Sequence, residues 1–137
     1  MVKIDLAEIR DIYPFKSNYH IVKGYKYHYI DEGKGKPMVM IHGNPTWSFF
    51  YRRLIEEFSK TNRVIVPDHL GCGLSDKPQE FEYRLETHIE NLESLIVWIE
   101  AKNGVFTLDE EYYRCSGGML EEPLYYSKLA EQGFICD

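Results

Sequence analysis

The chain has 137 residues, of which 44% are hydrophobic and 15% aromatic, and it carries a formal net charge of −6. This length fits one domain, and the apolar content is enough for a packed core, which excludes an intrinsically disordered chain. The acidic balance, without any run of Lys and Arg, argues against a nucleic-acid partner. No stretch approaches the roughly 18 consecutive apolar residues of a membrane span, so no membrane partner is expected.

The first residues and the cysteines favour a cytoplasmic protein. The segment 1–10 contains Asp5 and Glu8 and lacks the apolar block of a secretory signal. The three cysteines, Cys72, Cys115 and Cys136, form an odd set without C-x-x-C spacing. Free thiols in a reduced intracellular chain are the expected state.

Two short strands, 19–23 and 25–31, are predicted first, with Gly24 as the tight turn between them. In the second strand, one face carries Tyr25, Tyr27 and Tyr29, and the other carries Lys26, His28 and Ile30. This alternation indicates an antiparallel hairpin at the edge of a sheet.

A strand and a helix are predicted next. The continuous apolar run 38–41 is typical of a parallel strand buried on both faces. Thr46 lies where a helix N-cap is wanted, and apolar residues then recur at helical spacing. They are Trp47, Phe50, Tyr51, Leu54, Ile55 and Phe58.

A second buried strand is predicted over 63–67, followed by a glycine-rich loop over 68–78 and an amphipathic helix. The apolar stripe of that helix is Leu85, Ile89, Leu92, Ile96 and Ile99. Strand, helix, strand and helix at this spacing imply a right-handed crossover and a parallel sheet, so the predicted fold class is α/β.

The loop after the first buried strand is the more informative of the two loops at the carboxyl ends of the parallel strands, where ligands bind in such sheets. Gly43 is expected to allow a sharp turn, and Pro45 fixes the next φ. The backbone N–H and side-chain amide of Asn44 can then lie side by side. Such a pair is what an oxyanion hole requires.

These motifs resemble a known family. A strand ending in H-G-N-P-T-W-S-F, a helix, and then V-I-V-P-D-H-L-G-C-G-L-S-D-K-P are similar to the α/β-hydrolase fold superfamily. Within it, they resemble the haloalkane dehalogenase-like branch, which includes the related β-lactone decarboxylases. The lead-in segments Y-P-F-K-S-N-Y and Y-I-D-E-G-K-G-K-P fit the same branch, and the likeness runs from about Tyr13 to about Glu100.

The resemblance implies roles for several residues. Gly43 and Asn44 fall on the oxyanion loop, and the side chain of Asn44 matches the one that contacts the departing halide in dehalogenases. Asp68 and the loop residues Gly71, Gly73 and Ser75 match positions that shape the fold. His42 is expected to pack and to form hydrogen bonds.

The remaining His and Trp candidates are expected to be structural. His69 and His88 lack metal-ligand spacing, and His88 is placed on the solvated face of its helix. Trp47 is expected in the core. No cofactor and no metal is predicted.

The family pattern stops before its reactive residues. The resemblance implies a nucleophile on a fifth strand, then an acid and a His, but 105–108 runs into Asp109-Glu-Glu, and no His follows His88. Cys115, in Arg-Cys-Ser-Gly-Gly, is a displaced candidate nucleophile. Against it stand bulky Tyr112 and Tyr113 and the missing downstream base.

The sequence therefore divides into 1–104, the incomplete N-terminal half of an α/β-hydrolase sheet, and 105–137, an unrecognised tail. Two interpretations of the tail stay open, a frame-shifted or mis-joined ending and a genuine small module. The leading hypothesis is a hydrolase that acts on small-molecule substrates through an enzyme-bound ester and is inactive as this truncated chain. The alternative is a non-enzymatic protein whose exposed sheet edge, at 38–41, pairs with itself or with a partner chain.

Overall fold

The computed structural model describes residues 4–103, with the side chains of residues 100, 102 and 103 excepted. Four strands form one mixed sheet: β1 (Asn18–Val22), β2 (Tyr25–Gly33), β3 (Lys36–Val39) and β4 (Asn62–Pro67), in the order β1-β2-β4-β3. The helices are α1 (Leu6–Ile9), α2 (Arg52–Phe58) and α3 (Leu85–Asn103). The tail, with Cys115 and the segment 105–108, lies outside the described residues.

The predicted hairpin is confirmed. β1 and β2 pair antiparallel, and Val22 lies opposite Tyr25 across a two-residue turn. Both turn residues, Lys23 (φ 51) and Gly24 (φ 85), have a positive φ. This is the backbone that matches the right-handed twist of hairpin strands, and Gly24 adopts it without a steric cost.

The predicted place of the hairpin at the edge of the sheet is also confirmed, with β1 as an outer strand of the described sheet. β2 lies between β1 and β4, and four consecutive side chains from Tyr27 to Ile30 are buried. The alternation itself is correct, since the tyrosines and Ile30 join cores on opposite faces. The pairing of β2 with β4 was not predicted, because it joins residues thirty or more positions apart, which periodicity cannot reveal.

The predicted parallel pair is confirmed. β3 pairs parallel with β4, from Lys36 opposite Asn62 to Val39 opposite Ile65. The N–H of Met40 extends this pairing with a 2.9 Å bond to the carbonyl of Ile65. Within the described part of the chain, β3 and β1 are the two outer strands of the sheet.

The helix after β3 begins differently from the prediction. A 3-10 turn over Ser48–Tyr51 precedes α2, and Thr46 is not the N-cap, because its hydroxyl donates to the carbonyl of Gly43. Tyr51 and Ile55 are buried as predicted, whereas Phe50 is 61% exposed and Leu54 39%. The apolar stripe is therefore wider than the core that it covers.

Two cores cover the two faces of the sheet. One contains Tyr13, Ile30, Met38, Met40, Tyr51, Ile55, Val64 and Val66, with Trp47 partly buried against it. The other joins α3 to the sheet through Val22, Tyr27, Tyr29, Ile65, Leu70, Leu95 and Ile99. Among residues 4–103, no helix is both long and apolar enough to cross a membrane.

Candidate functional site

The loop after β3 is organised around one carbonyl group. The oxygen of Gly43 accepts hydrogen bonds from the backbone N–H of Thr46 (3.0 Å), the hydroxyl of Thr46 (2.7 Å) and Nδ1 of His42 (2.9 Å). All three donors lie within three residues of the acceptor. The loop is thus fixed by its own atoms.

Asn44 and Pro45 are the exposed residues of this loop. Within the described part of the chain, neither the backbone N–H nor the side-chain amide of Asn44 has a hydrogen-bond partner. The peptide that follows it, to Pro45, is cis. The sharp turn that was expected to require Gly43 does not require it for φ or for space, since its φ is not positive and an added Cβ would meet no described atom within 4 Å.

Asn44 borders a cleft of about 420 Å³ between the loops that follow β3 and β4. The lining is Asn44, Leu70, Gly71, Cys72, Lys77, Pro78, Gln79, Tyr83 and His88. The ammonium group of Lys77 is already hydrogen-bonded within the protein, because its Nζ donates to the carbonyls of Gly73 (2.7 Å) and Ser75 (2.9 Å). Polar groups that remain available for a ligand therefore include the two amide groups of Asn44.

Three histidines form a row beside the cleft. The ring of His69 lies 4.6 Å from that of His42 and 4.8 Å from that of His88, between centroids. The solvated position predicted for His88 is wrong, since its ring packs on His69 and its Nδ1 is buried. The sequence carried a signal for this placement, because His88, Leu92, Leu95 and Ile99 recur at helical spacing on one face of α3.

The row is neutral at ordinary pH. Burial lowers the pKa of His42 and His88 below the usual value of 6.5, and it lowers the pKa of His69 well below that value. For His69, repulsion from a charge on His42 or His88 acts in the same direction. Three rings so close together cannot carry several positive charges without strong repulsion.

The loop after β4 is held by a buried His–Asp pair. His28 Nδ1 lies 2.9 Å from Oδ2 of Asp68, and both side chains are 0% exposed. Asp68 also accepts the backbone N–H groups of Ser48 (2.7 Å) and Leu74 (2.9 Å). Burial alone would raise the pKa of this carboxyl, but the partner His28 and the two N–H donors outweigh burial, and the pKa is lowered.

Sequence reasoning missed His28, although it gave Asp68 a fold-shaping role that these contacts match. Two further residues of this loop, Ser75 and Gly73, support Asp68 through backbone contacts and close packing. The hydroxyl of Ser75 accepts the N–H of His28 (2.8 Å) and donates to the carbonyl of Asp68 (2.5 Å). Gly73 has φ +48, and a Cβ there would collide with Asp68 and with the Cβ of Trp47. The loop therefore joins three parts of the chain into one polar network.

The described residues contain no group of three His, Cys, Asp or Glu side chains placed to hold a metal ion. Cys72 is a free, half-buried thiol, and burial together with the charge of Asp68 raises its pKa. A raised pKa disfavours the thiolate that a nucleophile needs. Cys72 and a histidine of the row therefore do not form the thiolate–imidazolium pair of a cysteine nucleophile.

Comparison with known proteins agrees with this architecture. The family model described as alpha/beta hydrolase fold matches residues 36–105. A cis-3-alkyl-4-alkyloxetan-2-one decarboxylase of Shewanella oneidensis is 44% identical over 109 residues, which are 78% of this chain and 33% of that protein. Haloalkane dehalogenase 2 of Mycobacterium tuberculosis is 41% identical over 87 residues, which are 64% of this chain and 30% of the relative.

Solved structures give the same result. The haloalkane dehalogenase DpaA from Paraglaciecola agarilytica superposes with a TM-score of 0.62 at 35% identity, over 73% of this chain and 36% of its own. The chain spans about one third of the length of these relatives. The resemblance to the haloalkane dehalogenase-like branch is confirmed, and the described sheet is part of the larger fold. The chain belongs to the α/β-hydrolase fold family.

Proposed function

We propose that the loop of Gly43 and Asn44 is the anion-binding half of a hydrolase site that acts on small-molecule substrates through an enzyme-bound ester. The observation that carries this proposal is the state of Asn44, which lines the cleft and whose two amide groups have no hydrogen-bond partner among the described residues. Fixed N–H donors at the site of developing negative charge stabilise a transition state without having to reorganise. The ligand of this loop is a departing halide or the oxyanion of an ester intermediate.

The relatives support this chemistry by their activities. The haloalkane dehalogenases among them release a halide, and the decarboxylase among them acts on an oxetan-2-one, a four-membered cyclic ester. Both kinds of substrate are small, and both reactions place negative charge on a halide or an oxygen. A loop with two amide donors that have no described partner suits either one.

We further propose that the 137-residue chain binds anions but does not turn over substrate by itself. No His follows His88 in the sequence, and the three histidines beside the cleft have a lowered pKa and pack on each other. The thiol of Cys72 has a raised pKa. Cys115, outside the described residues, remains a candidate nucleophile, and it is tested by the esterase turnover of the Cys115→Ala variant, which must fall if Cys115 reacts.

Bromide titration of ¹⁵N-labelled protein tests the anion site. The backbone and side-chain amide signals of Asn44 are expected to shift in a saturable manner, and Asn44→Leu should weaken binding at least tenfold. The matched control is Asn18→Leu, on β1, whose amide bonds to the carbonyls of Lys16 and Tyr29 instead of facing the cleft. Shifts spread over the surface without saturation, or unchanged binding in Asn44→Leu, would contradict the proposal.

A second candidate function, a non-enzymatic interaction protein, is favoured by one specific observation. β3 is an outer strand of the described sheet, and its described strand neighbour, β4, lies on one side only. An added peptide segment on the other side would bring main-chain donors and acceptors.

Light scattering coupled to size exclusion separates the two functions. A concentration-dependent dimer or a soluble complex with a second polypeptide, lost on Val39→Pro in β3, supports the interaction protein. A monomer at all concentrations that still binds bromide supports the anion site. The control is Ile21→Pro in β1, the outer strand at the opposite side of the described sheet. It shows whether a proline in an outer strand abolishes association merely by disrupting the fold.

A further inference from the structure

The carbonyl oxygen of Gly43 accepts an unusually large number of hydrogen bonds. It accepts three hydrogen bonds, at 2.7, 2.9 and 3.0 Å, although a carbonyl oxygen has only two lone pairs. Two of the donors belong to Thr46 and one to the ring of His42. These bonds fix the direction of one C=O group more firmly than an ordinary turn would.

Fixing this carbonyl also fixes the N–H of Asn44. The Gly43–Asn44 peptide is trans, since the cis bond lies one position later. In a planar trans peptide, the C=O and the N–H point in opposite directions. The N–H of Asn44 must therefore point away from His42 and Thr46, on the side where it has no described acceptor.

We propose that His42 and Thr46 are positioning residues for the anion site, acting through the Gly43 carbonyl to set the direction of the Asn44 N–H. This proposal rests on the proposed function of the Gly43–Asn44 loop and assigns to two further side chains the preorganisation of that loop. Neither residue touches the ligand. Donors that are fixed before the ligand arrives bind it more tightly, because no ordering cost is left to meet.

The tautomer of His42 follows from its two partners. The oxygen of Gly43 can only accept, so Nδ1 of His42 carries the hydrogen. The backbone N–H of His69 lies 2.9 Å from Nε2 of His42 and can only donate, so Nε2 carries none. His42 is therefore a neutral ring that links the backbone after β4 to the carbonyl after β3. A proton added at Nε2 would break the bond to His69.

This link explains why a buried histidine suits this position. His69 directly follows Asp68, whose carboxylate is held by His28 and by two backbone N–H groups. The rigid β4 loop thus supplies the fixed reference against which His42 orients Gly43. A side chain without both an acceptor and a donor could not make the two bonds at once.

Solution NMR of the full chain tests this proposal without an activity assay. We expect a long-range ¹⁵N spectrum of His42 with Nδ1 protonated, and a through-hydrogen-bond coupling between the Thr46 nitrogen and the Gly43 carbonyl carbon. Thr46→Val removes the hydroxyl donor at nearly constant volume, and it should reduce the order of the Asn44 N–H and raise the dissociation constant for bromide at least fivefold. Thr46→Ser keeps the hydroxyl donor and should restore both the order of the Asn44 N–H and the affinity for bromide. The control is Thr61→Val, at an exposed threonine that follows α2 in the sequence.

The outcomes of this test are distinct. The positioning proposal would be overturned if the Asn44 N–H were as well ordered in Thr46→Val and in His42→Phe as it is in the parent chain. A His42 ring protonated at Nε2 would overturn it as well. If the parent chain does not bind bromide while Asn44 loses order in Thr46→Val, the positioning role stands and the proposed ligand is wrong. Should His42→Phe fail to fold, the Thr46 series alone decides the question.

Discussion

The two loops that leave the parallel strands use polar groups in opposite ways. After β4, the carboxylate of Asp68 is fully buried and both of its oxygens are occupied by donors. After β3, Asn44 is exposed, and its amide groups have no partner among residues 4–103. The difference indicates that the β4 loop uses its polar side chain to hold the fold together, whereas the amide of Asn44 in the β3 loop is open to solvent.

Removing one acceptor from the β4 loop should give the largest effect. In Asp68→Asn, one carboxylate oxygen becomes an NH₂ group that must face an N–H of Ser48 or Leu74, so a buried donor loses its acceptor. Leaving a buried donor unpaired and weakening the other hydrogen bonds to the former carboxylate should cost about 3 kcal/mol or more, which is a large part of the stability of a small domain. Urea unfolding followed by circular dichroism measures the loss.

The control for Asp68→Asn is Glu82→Gln, which changes a carboxyl in an exposed pair with Arg84. That variant should unfold like the parent, since exposed pairs contribute little. A loss in Asp68→Asn no larger than in Glu82→Gln would mean that the buried network is not what stabilises the β4 loop.

Matched glycines test the same contrast at the level of the backbone. Gly73→Ala places a Cβ against Asp68 and Trp47 at φ +48 and should cost about 1–3 kcal/mol. Gly43→Ala, in the β3 loop, meets open space at an ordinary φ and should change the free energy of unfolding by less than about 0.5 kcal/mol. Equal losses in the two variants would remove the distinction between the loops.

Acidification should lower the free energy of unfolding through the histidine row, in which His42 of the β3 loop contacts His69 of the β4 loop. The pKa of His42, His69 and His88 is lowered in the folded chain, so protonation favours the unfolded state, where the pKa is the ordinary 6.5. Stability is therefore complete above pH 6.5 and falls as the pH decreases below it. The lowered pKa of Asp68 adds a second loss, in the same direction, below pH 3.8.

Urea midpoints from pH 8 to pH 5 measure this dependence. His69→Asn removes the central ring of the row and should have a flatter profile than the parent chain. A parent midpoint that stays constant or rises toward pH 5 would contradict a neutral histidine row.

The sequence predicted what depends on local pattern. The hairpin turn at Gly24, the parallel pairing of β3 with β4 and the apolar stripe of α3 follow from alternation and helical spacing, and the structure confirms them. The position of β2 inside the sheet and the pair of His28 with Asp68 could not be read in this way. Both join segments thirty or more residues apart, and their geometry is set by tertiary packing.

The candidate site divides along the same line. The sequence pointed to Asn44 because Gly43 and Pro45 flank it after the apolar run 38–41, and the role of its amide groups in a site stays a prediction. The placement of His88 against His69 was missed, although its spacing to Leu92 on α3 was visible. The hydrogen bonds of His42 to both loops needed coordinates, since its partners, Gly43 and His69, contribute backbone atoms that carry no sequence signal.

The smallest effect on stability is expected where the proposed function is strongest. Asn44→Ala removes an exposed side chain without a described partner, so the free energy of unfolding should change by no more than about 0.5 kcal/mol. Bromide binding, by contrast, should weaken at least tenfold, because half of the anion site is lost. Such a variant separates binding from folding, which no substitution of Asp68 can do. A loss of 1 kcal/mol or more in Asn44→Ala would show that the β3 loop, like the β4 loop, uses its polar side chain to hold the fold.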